Sequence, residues 1–354
     1  MNRRDMLAML VGSLSTSITA KDSLSRKSEI IPLKIGLVVY CQGIRIRYER
    51  EKNPSQPFDD PMNFLEHCHR FGAGGMQIPL NVRSESYTSK LREKAESYGM
   101  FIDAVGDLPH DQSGVEQFEA VVKTAKEAGA EILRCVMMPG RRYEEYNAME
   151  EFNRIRQQAI RSVELAQPIA AKQRIKLAIE NHKVQRIPEM LDVLHHISSE
   201  YVGICLDTGN SFVLLEDPID VAEAYAPWTF TVHYKDQALR EYEDGFLFAD
   251  VKYGEGFIDL PRVAQIVRKA NPKAHFNLEM ITRDPLKVTC LTEKYWSCMA
   301  DVSGKELART FRTIRTHTLE QMPEISTLPL EKQVAVEEEN VKTSLAYAKE
   351  HCEM

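Results

Sequence analysis

Residues 175–210 read IKLAIENHKVQRIPEMLDVLHHISSEYVGICLDTGN. This segment contains an apolar run at residues 176–180, a helical spacing of apolar residues at 187–197 and a second apolar run at 202–207. A short apolar run bounded by Asn, Asp or Gly is typical of a strand that is buried on both faces of a parallel sheet. The segment therefore predicts a strand–helix–strand unit in which Glu180 and Asp207 each end a strand.

The same alternation continues on both sides of this unit. Further strands are predicted at residues 33–40, 75–80, 101–105, 132–138, 230–233 and 276–280, and further helices at 114–128, 154–171 and 260–270. Eight strands that alternate with helices predict an α/β fold, a closed (β/α)8 TIM barrel. An open doubly wound sheet is the alternative that strand counting leaves open.

The two ends of the chain do not fit the repeat. Residues 1–20 place Arg3 and Arg4 before an apolar run at 6–14 and small residues up to Ala20, the order of an export signal that resembles the twin-arginine type. An exported location, periplasmic or otherwise extracytoplasmic, is therefore expected, and a frayed amphipathic N-terminus is the alternative. The apolar run is too short to span a bilayer, and we expect no membrane span in the mature chain.

The barrel is predicted over residues 31–322 and a C-terminal helical extension over 323–354. The extension has a charged helical pattern at 330–351 and is expected to pack outside the barrel or against another copy of the chain, which would make a homo-oligomer. Residues 237–256 are additional to the repeat and are expected to form a long loop at the barrel mouth, acting as a lid or a substrate wall.

Composition excludes several classes of protein. The 354 residues carry a net charge of −7 and contain no run of Lys or Arg longer than two, so a nucleic-acid partner is not expected. Seven scattered cysteines without a C-x-x-C pair support neither a disulfide framework nor a zinc ribbon.

Four consecutive predicted strands each end in a residue that can bind a metal: Glu180, Asp207, His233 and Glu279. The carboxyl ends of barrel strands meet at one rim, where the active sites of such barrels lie. Each residue has an ordinary explanation as well, such as a turn aspartate or a core histidine. However, three carboxylates directed to one point would repel one another, and a divalent cation removes that conflict.

The chemical hardness of these ligands limits the choice of metal ion. Three carboxylates and one imidazole suit one Mn²⁺, Mg²⁺ or Co²⁺ ion, with Zn²⁺ as a further candidate. An ion that binds a carbonyl and the neighbouring hydroxyl acidifies the C–H bond of the carbon that bears the hydroxyl. The same ion stabilises the enediolate that forms when this proton leaves. Glu180 and Glu279 can then act as catalytic base and acid on opposite faces of the substrate.

The ordered motifs AIENH, CLDTGN, HYKD and LEM, with YGEGFIDL after the expected loop, resemble the xylose isomerase-like TIM barrel superfamily, in particular its sugar phosphate isomerase/epimerase branch. The resemblance spans residues 33–316. It implies that Glu180, Asp207, His233 and Glu279 bind one divalent metal and that the two glutamates form the acid–base pair.

The departures from this family are specific. Ketose 3-epimerases have Glu where Arg186 stands, His where Asn210 stands, and an Arg six residues after the metal-binding His, whereas Arg240 follows at seven. The resemblance therefore does not imply free-ketose 3-epimerisation. The related AP endonucleases hold three zinc ions with further histidines, near the places of Asn81, Asn210 and Asp250. A single-metal site is the better prediction, and DNA repair is disfavoured.

Four more residues are candidates for substrate binding: His182, Asn210, Lys235 and Arg240. His182 is equally consistent with a loop cap. Lys235 is equally consistent with a partner for Asp236 or a counter-charge, and Arg240 with a surface charge.

Three functions remain open, all with a small carbohydrate as partner. The first is a metal-dependent sugar isomerase or epimerase that transfers a proton next to a carbonyl. The second is a lyase or dehydratase that uses the same metal site on a keto-sugar, an inosose or a 3-keto-glycoside. The third is a sugar-binding barrel without turnover.

Overall fold

The computed structural model describes residues 34–52, 55, 57–299, 302–352 and 354. The predicted export signal lies outside these residues. The β-strands in the described part are β1 Ile35–Val38, β2 Gly75–Pro79, β3 Phe101–Val105, β4 Ile132–Cys135, β5 Lys176–Glu180, β6 Val202–Asp207, β7 Thr229–Tyr234, β8 Asp236–Tyr242, β9 Gly245–Val251, β10 His275–Leu278 and β11 Leu286–Val288.

The α-helices of the same residues lie between and around these strands. They are α1 Gly43–Lys52, α2 Pro61–Arg70, α3 Glu85–Tyr98, α4 Val115–Glu127, α5 Arg142–Glu145, α6 Met149–Gln173, α7 Ile187–Ile197, α8 Pro218–Tyr225, α9 Leu260–Ala270, α10 Glu293–Trp296, α11 Gly304–Thr316 and α12 Leu330–His351. None of the helices described is both long and apolar enough to cross a bilayer.

Eight strands form a closed parallel barrel in the order β1-β10-β7-β6-β5-β4-β3-β2. This confirms the predicted (β/α)8 fold with a C-terminal helix and excludes the open sheet. The predicted bounds of β3, β5 and β6 agree with the structure, whereas β1 ends at Val38 because residues 39–42 turn into a 3-10 helix. The main apolar core lies between the barrel and its surrounding helices.

The residues expected to form a long loop are instead a β-hairpin. Strands β8 and β9 pair antiparallel, from Asp236 opposite Val251 to Tyr242 opposite Gly245, and β11 pairs with β9. The expectation of a long loop is wrong because the backbones of residues 236–242 and 245–251 pair with each other along their whole length. The hairpin's apolar side packs in a second core with Phe212 and Tyr295.

Part of the barrel interior is polar. Asp103 accepts hydrogen bonds from Thr231 Oγ1 at 2.8 Å and Asn277 Nδ2 at 2.9 Å, and its other oxygen lies 2.7 Å from His275 Nδ1. A Cβ added at Gly36 would lie 2.3 Å from Asn277 Oδ1, so the network needs a glycine there. Hydrogen bonding replaces the branched apolar layers that usually fill such barrels.

The C-terminal helix α12 is joined to the barrel through a buried carboxylate. Glu337 accepts the backbone N–H of Ile44 at 2.8 Å and of Arg45 at 2.9 Å, at the start of α1. These amides have no partner inside the helix that they begin, so α12 supplies the cap that α1 lacks in its own sequence. Burial raises the pKa of Glu337 to about 7 against the effect of these two hydrogen bonds.

Candidate metal centre

The structure brings the side chains of Glu180, Asp207, His233 and Glu279 together at the carboxyl ends of the barrel strands. One ligand atom from each lies within 4.8 Å of the others, and all four residues are buried. Glu180 and Asp207 end β5 and β6, His233 lies in β7, and Glu279 directly follows β10. Residues far apart in sequence therefore face one point because their strands are neighbours in the barrel.

His233 is oriented by Gln77 on β2. Its Nε2 lies 2.5 Å from Gln77 Oε1, an oxygen that accepts the Nε2 proton. Its Nδ1 takes no hydrogen bond and faces the carboxylates, 3.4 Å from Glu180 Oε2 and 3.3 Å from Glu279 Oε2. Gln77 thus directs the unpartnered ring nitrogen into the cluster.

Asp207 is held by the turn that follows it. Its Oδ1 accepts the backbone N–H of Gly209 at 2.9 Å and of Asn210 at 2.8 Å. The side chain of Asn181 pairs with the Asp207 backbone, accepting from its N–H at 2.6 Å and donating to its carbonyl at 3.0 Å. The Oδ2 atom is left facing the cluster.

Glu180 is hydrogen-bonded through both carboxylate oxygens. Arg134 on β4 donates to Oε2 from Nε at 2.7 Å and also from Nη2. Asn210 Nδ2 donates to Oε1 at 3.0 Å. These contacts fix the orientation of Glu180 and compensate its charge.

Lys235 compensates the other two carboxylates. Its Nζ lies 2.7 Å from Asp207 Oδ2 and 2.5 Å from Glu279 Oε2. It does not hold Asp236, which accepts backbone N–H groups of Gln237, Gly254, Gly256 and Ile258 instead. The counter-charge expectation for Lys235 agrees with this geometry.

Burial and neighbouring charges act in opposite directions on the pKa values of these carboxylates. Burial raises the pKa of Glu180, but Arg134 and His233 outweigh it and bring the value to about 2. Burial likewise raises the pKa of Glu279, and His233 and Lys235 bring it well below the usual range. At Asp207 burial prevails over Lys235 and raises the pKa to about 6.

The same carboxylates also act on the pKa of the His233 imidazole. Burial lowers the pKa of His233, but Cys205, Glu279 and Glu180 together raise it well above its usual range. Raised pKa values at both the His233 imidazole and the Asp207 carboxyl indicate a cluster that is short of positive charge at its centre. Binding of a cation there would release the imidazole proton.

These residues fit a divalent ion. The donor set is three carboxylates and one imidazole, and His233 Nδ1 is a buried, unpartnered nitrogen directed into it. Two ligands on one ion, each bonded at about 2.0–2.2 Å, are at most about 4.4 Å apart. The observed spread of up to 4.8 Å therefore needs only a small side-chain adjustment for all four to bind a common ion.

Not every candidate substrate residue lies at the cluster. Asn210 and Lys235 do, as described above. His182 Nδ1 lies 2.9 Å from the carbonyl oxygen of Gly140 and holds the neighbouring loop. Arg240 is exposed and donates to the carbonyl of Glu320 at 3.0 Å, because it lies on the outward-facing side of β8. Substrate binding by Arg240 is therefore not supported by its position.

Three further residues complete the surroundings of the cluster and were not predicted from the sequence: Arg134, Gln77 and Lys183. Arg134 and Gln77 are single polar residues in predicted strands that are otherwise apolar, and both are buried. A charged or amide residue inside a strand buried on both faces was the available signal, because such a group needs a partner inside the barrel.

The fold and the site together define a class of protein. A family model described as xylose isomerase-like TIM barrel matches residues 65–297, well over half of the chain. The chain therefore belongs to the xylose isomerase-like TIM barrel family.

Among curated proteins, 3-oxo-isoapionate decarboxylase of Pectobacterium atrosepticum is 33% identical over 96 residues. The match covers 27% of this chain and only 35% of the length of that relative.

Solved structures are similar over most of the chain. D-psicose 3-epimerase, determined in the presence of D-fructose, has a TM-score of 0.57 at 12% identity and covers 91% of this chain and 100% of its own. A xylose isomerase-like TIM barrel protein from Mycobacterium smegmatis in complex with magnesium has a TM-score of 0.54 at 14% identity, covering 77% and 99%. At identities this low, the structural similarity establishes a common fold and nothing further.

Proposed function

We propose that this protein is a divalent-metal-dependent sugar isomerase or epimerase that transfers a proton at the carbon next to a carbonyl. The observation that carries the proposal is the convergence of three carboxylates on the unpartnered Nδ1 of His233. A divalent ion bound by Glu180, Asp207, His233 and Glu279 would polarise the substrate carbonyl and stabilise the negative charge that develops when the proton leaves.

The side chains of the cluster have different roles in this proposal, some in proton transfer and some in metal binding. Glu279 is the candidate for the group that takes up the proton, because its carboxylate contacts the ammonium of Lys235 and the ring of His233. Lys235 then stays next to the carboxyl and can deliver a proton to a substrate oxygen. Glu180 is the better candidate for a fixed ligand, because both of its oxygens already accept hydrogen bonds.

The fixed position of Glu180 favours a second candidate function, a lyase on a keto-sugar derivative. An epimerase needs two mobile acid–base groups on opposite faces of the substrate, whereas elimination or decarboxylation can proceed with one. Arg134 and Asn210 hold Glu180 in place. The partial similarity to a decarboxylase is consistent with this alternative.

Hydrogen exchange distinguishes these functions. Mn²⁺-loaded protein is incubated in D₂O with D-fructose, D-tagatose, L-ribulose and 3-oxo-isoapionate, and the products are followed by NMR. Deuterium uptake next to the carbonyl with the carbon skeleton retained supports the isomerase or epimerase. Elimination or release of CO₂ supports the lyase.

The variant Glu279→Gln assigns the proton transfer. We expect it to lower the rate by about 100-fold or more, the usual contribution of a positioned acid or base. Glu255→Gln, which changes an exposed carboxylate on a nearby turn, is the matched control and should turn over normally. Exchange that is unaffected by Glu279→Gln contradicts the assigned role, and wild-type protein that exchanges none of the compounds contradicts both enzymatic functions.

A further inference from the structure

Lys183 is a buried cation that the proposed proton transfer does not use. It follows β5 by three residues, and 7% of its surface is exposed. Its Nζ donates to Asn210 Oδ1. No carboxylate in the part of the chain that the structure describes lies within ion-pairing distance of Lys183. An ammonium group has three donors, so two of them have no acceptor among these residues.

The buried cations that contact the carboxylates of the cluster are paired. Arg134 binds Glu180, and Lys235 binds Asp207 and Glu279. A buried ammonium without a counter-ion is costly, because it has lost most of its hydration. Burial and the nearby Lys235 accordingly lower the pKa of Lys183 to about 8, which still leaves it mostly charged at neutral pH. An anion that arrives with the substrate would remove this cost.

Lys183 lies next to the candidate metal centre. The carboxamide of Asn210 accepts from Lys183 through Oδ1 and donates to Glu180 Oε1 through Nδ2 at 3.0 Å. A single carboxamide thus separates the ammonium from a candidate metal ligand. Lys183 is therefore one side chain away from a group bound at the metal centre.

The charges of the occupied site point in the same direction. Four carboxylates, those of Glu180, Asp207, Glu279 and Asp250, would face a divalent ion and four cationic side chains, those of Arg134, Lys235, Lys183 and Arg283, which leaves two positive charges uncompensated. A neutral sugar would leave this excess in a buried site, whereas an anionic one would reduce it.

Resting on the function proposed above, we propose that the substrate is an anionic sugar derivative whose carboxylate or phosphate group is bound by Lys183. Arg283, half-exposed and 3.6 Å from Asp250, is already paired and is not needed for this role. The inference narrows the substrate class from carbohydrates in general to sugar acids and sugar phosphates.

Three probes with one carbon skeleton test this inference: D-glucitol, D-gluconate and D-glucitol 6-phosphate. Their affinities for the Mn²⁺-loaded protein are measured by calorimetry. We expect one anion to bind at least about tenfold more tightly than D-glucitol, and the anion that does so identifies carboxylate or phosphate as the group recognised. Lys183→Gln and Lys183→Met should reduce this preference to less than threefold.

The controls separate this inference from the function on which it rests. Lys252→Gln removes a rim lysine that is paired with Glu255 at 2.8 Å, and should keep the preference. A direct bond from the anion to Mn²⁺ would not depend on Lys183, so a preference that both Lys183 variants retain overturns the inference. Equal binding of the three probes, or binding of none, also overturns it. The Mn²⁺ titration is read separately, and wild-type protein that does not bind Mn²⁺ refutes the proposed function itself.

Discussion

Gln77 determines which nitrogen of His233 faces the carboxylates. Its carboxamide oxygen lies 2.5 Å from Nε2, so the proton stays on that nitrogen and Nδ1 is available to a cation. Residues that orient a metal-binding histidine in this way typically change metal affinity by about 10- to 100-fold when they are replaced.

Replacing Gln77 with Leu, which has a similar volume, should therefore weaken Mn²⁺ binding by about 10- to 100-fold. The affinity is measured by calorimetric titration of metal-free protein. Gln77→Glu keeps an oxygen acceptor for the Nε2 proton and should recover most of the affinity. Mn²⁺ binding that is as tight in Gln77→Leu as in the wild type would show that Gln77 does not direct His233.

At the residue scale, the sequence predicted the cluster and offered Lys235 as a counter-charge, but it did not identify Arg134. Glu180, Asp207, His233 and Glu279 could be found because each follows an apolar strand, and the barrel brings strand ends together. Arg134 and Lys183 could not be assigned in this way, since the partner of a buried cation depends on which side chain faces it across the barrel. That information is three-dimensional, and neither the strand pattern nor the motif contains it.

At the scale of elements, the sequence contains a turn signal that would have predicted the hairpin β8–β9. Residues 236–242 and 245–251 flank the two-residue turn Glu243-Asp244, and the Asp244-Gly245 dipeptide at its end is a hairpin signal in the sequence. The count of residues between barrel strands predicted an insertion correctly, but not its structure. The insertion follows β7 and forms a separate three-stranded sheet with β11, which packs on the 3-10 helix that follows Asp207.

The cap between α12 and α1 gives the C-terminal helix a measurable role. Glu337→Ala would leave the Ile44 and Arg45 N–H groups without their acceptor and create a small cavity. We expect the free energy of unfolding to fall by about 2–3 kcal/mol, measured by urea denaturation.

The matched control for this cap is Glu339→Ala, two residues along the same helix. Glu339 is exposed, so its loss should change the free energy of unfolding by less than about 0.5 kcal/mol. Equal effects of the two substitutions would mean that α12 contributes through its general helix stability rather than through the contact with α1.

At the scale of the whole molecule, the number of predicted strands was enough to predict a closed barrel. It was not enough to predict which side chains fill the barrel interior. Eight alternating units leave few arrangements other than a closed barrel. The hydrogen-bonded interior of Asp103, Thr231 and Asn277 depends on Gly36 leaving room for the asparagine. Such a network is specified by facing positions on strands far apart in the chain, so a reading along the sequence sees only isolated polar residues.

A metal that joins β5, β6, β7 and the end of β10 should stabilise the barrel as a unit. A ligand that binds only the folded state at 100 times its dissociation constant adds about 2.7 kcal/mol to the free energy of unfolding. For a chain of this size we expect Mn²⁺ to raise Tm by about 4 °C, and EDTA to reverse the rise. Scanning calorimetry measures both.

His233→Ala should abolish most of this Mn²⁺-dependent rise in Tm, because it removes the one nitrogen ligand of the cluster. His196→Ala is the control: His196 is exposed and contacts Glu164 on the surface, so the rise should be retained. Three buried carboxylates close together destabilise a fold unless cations surround them, and Arg134 and Lys235 already supply two. A rise of equal size in the wild type and in His233→Ala would therefore place the stabilising ion elsewhere and leave Arg134 and Lys235 as the cations that hold the cluster together.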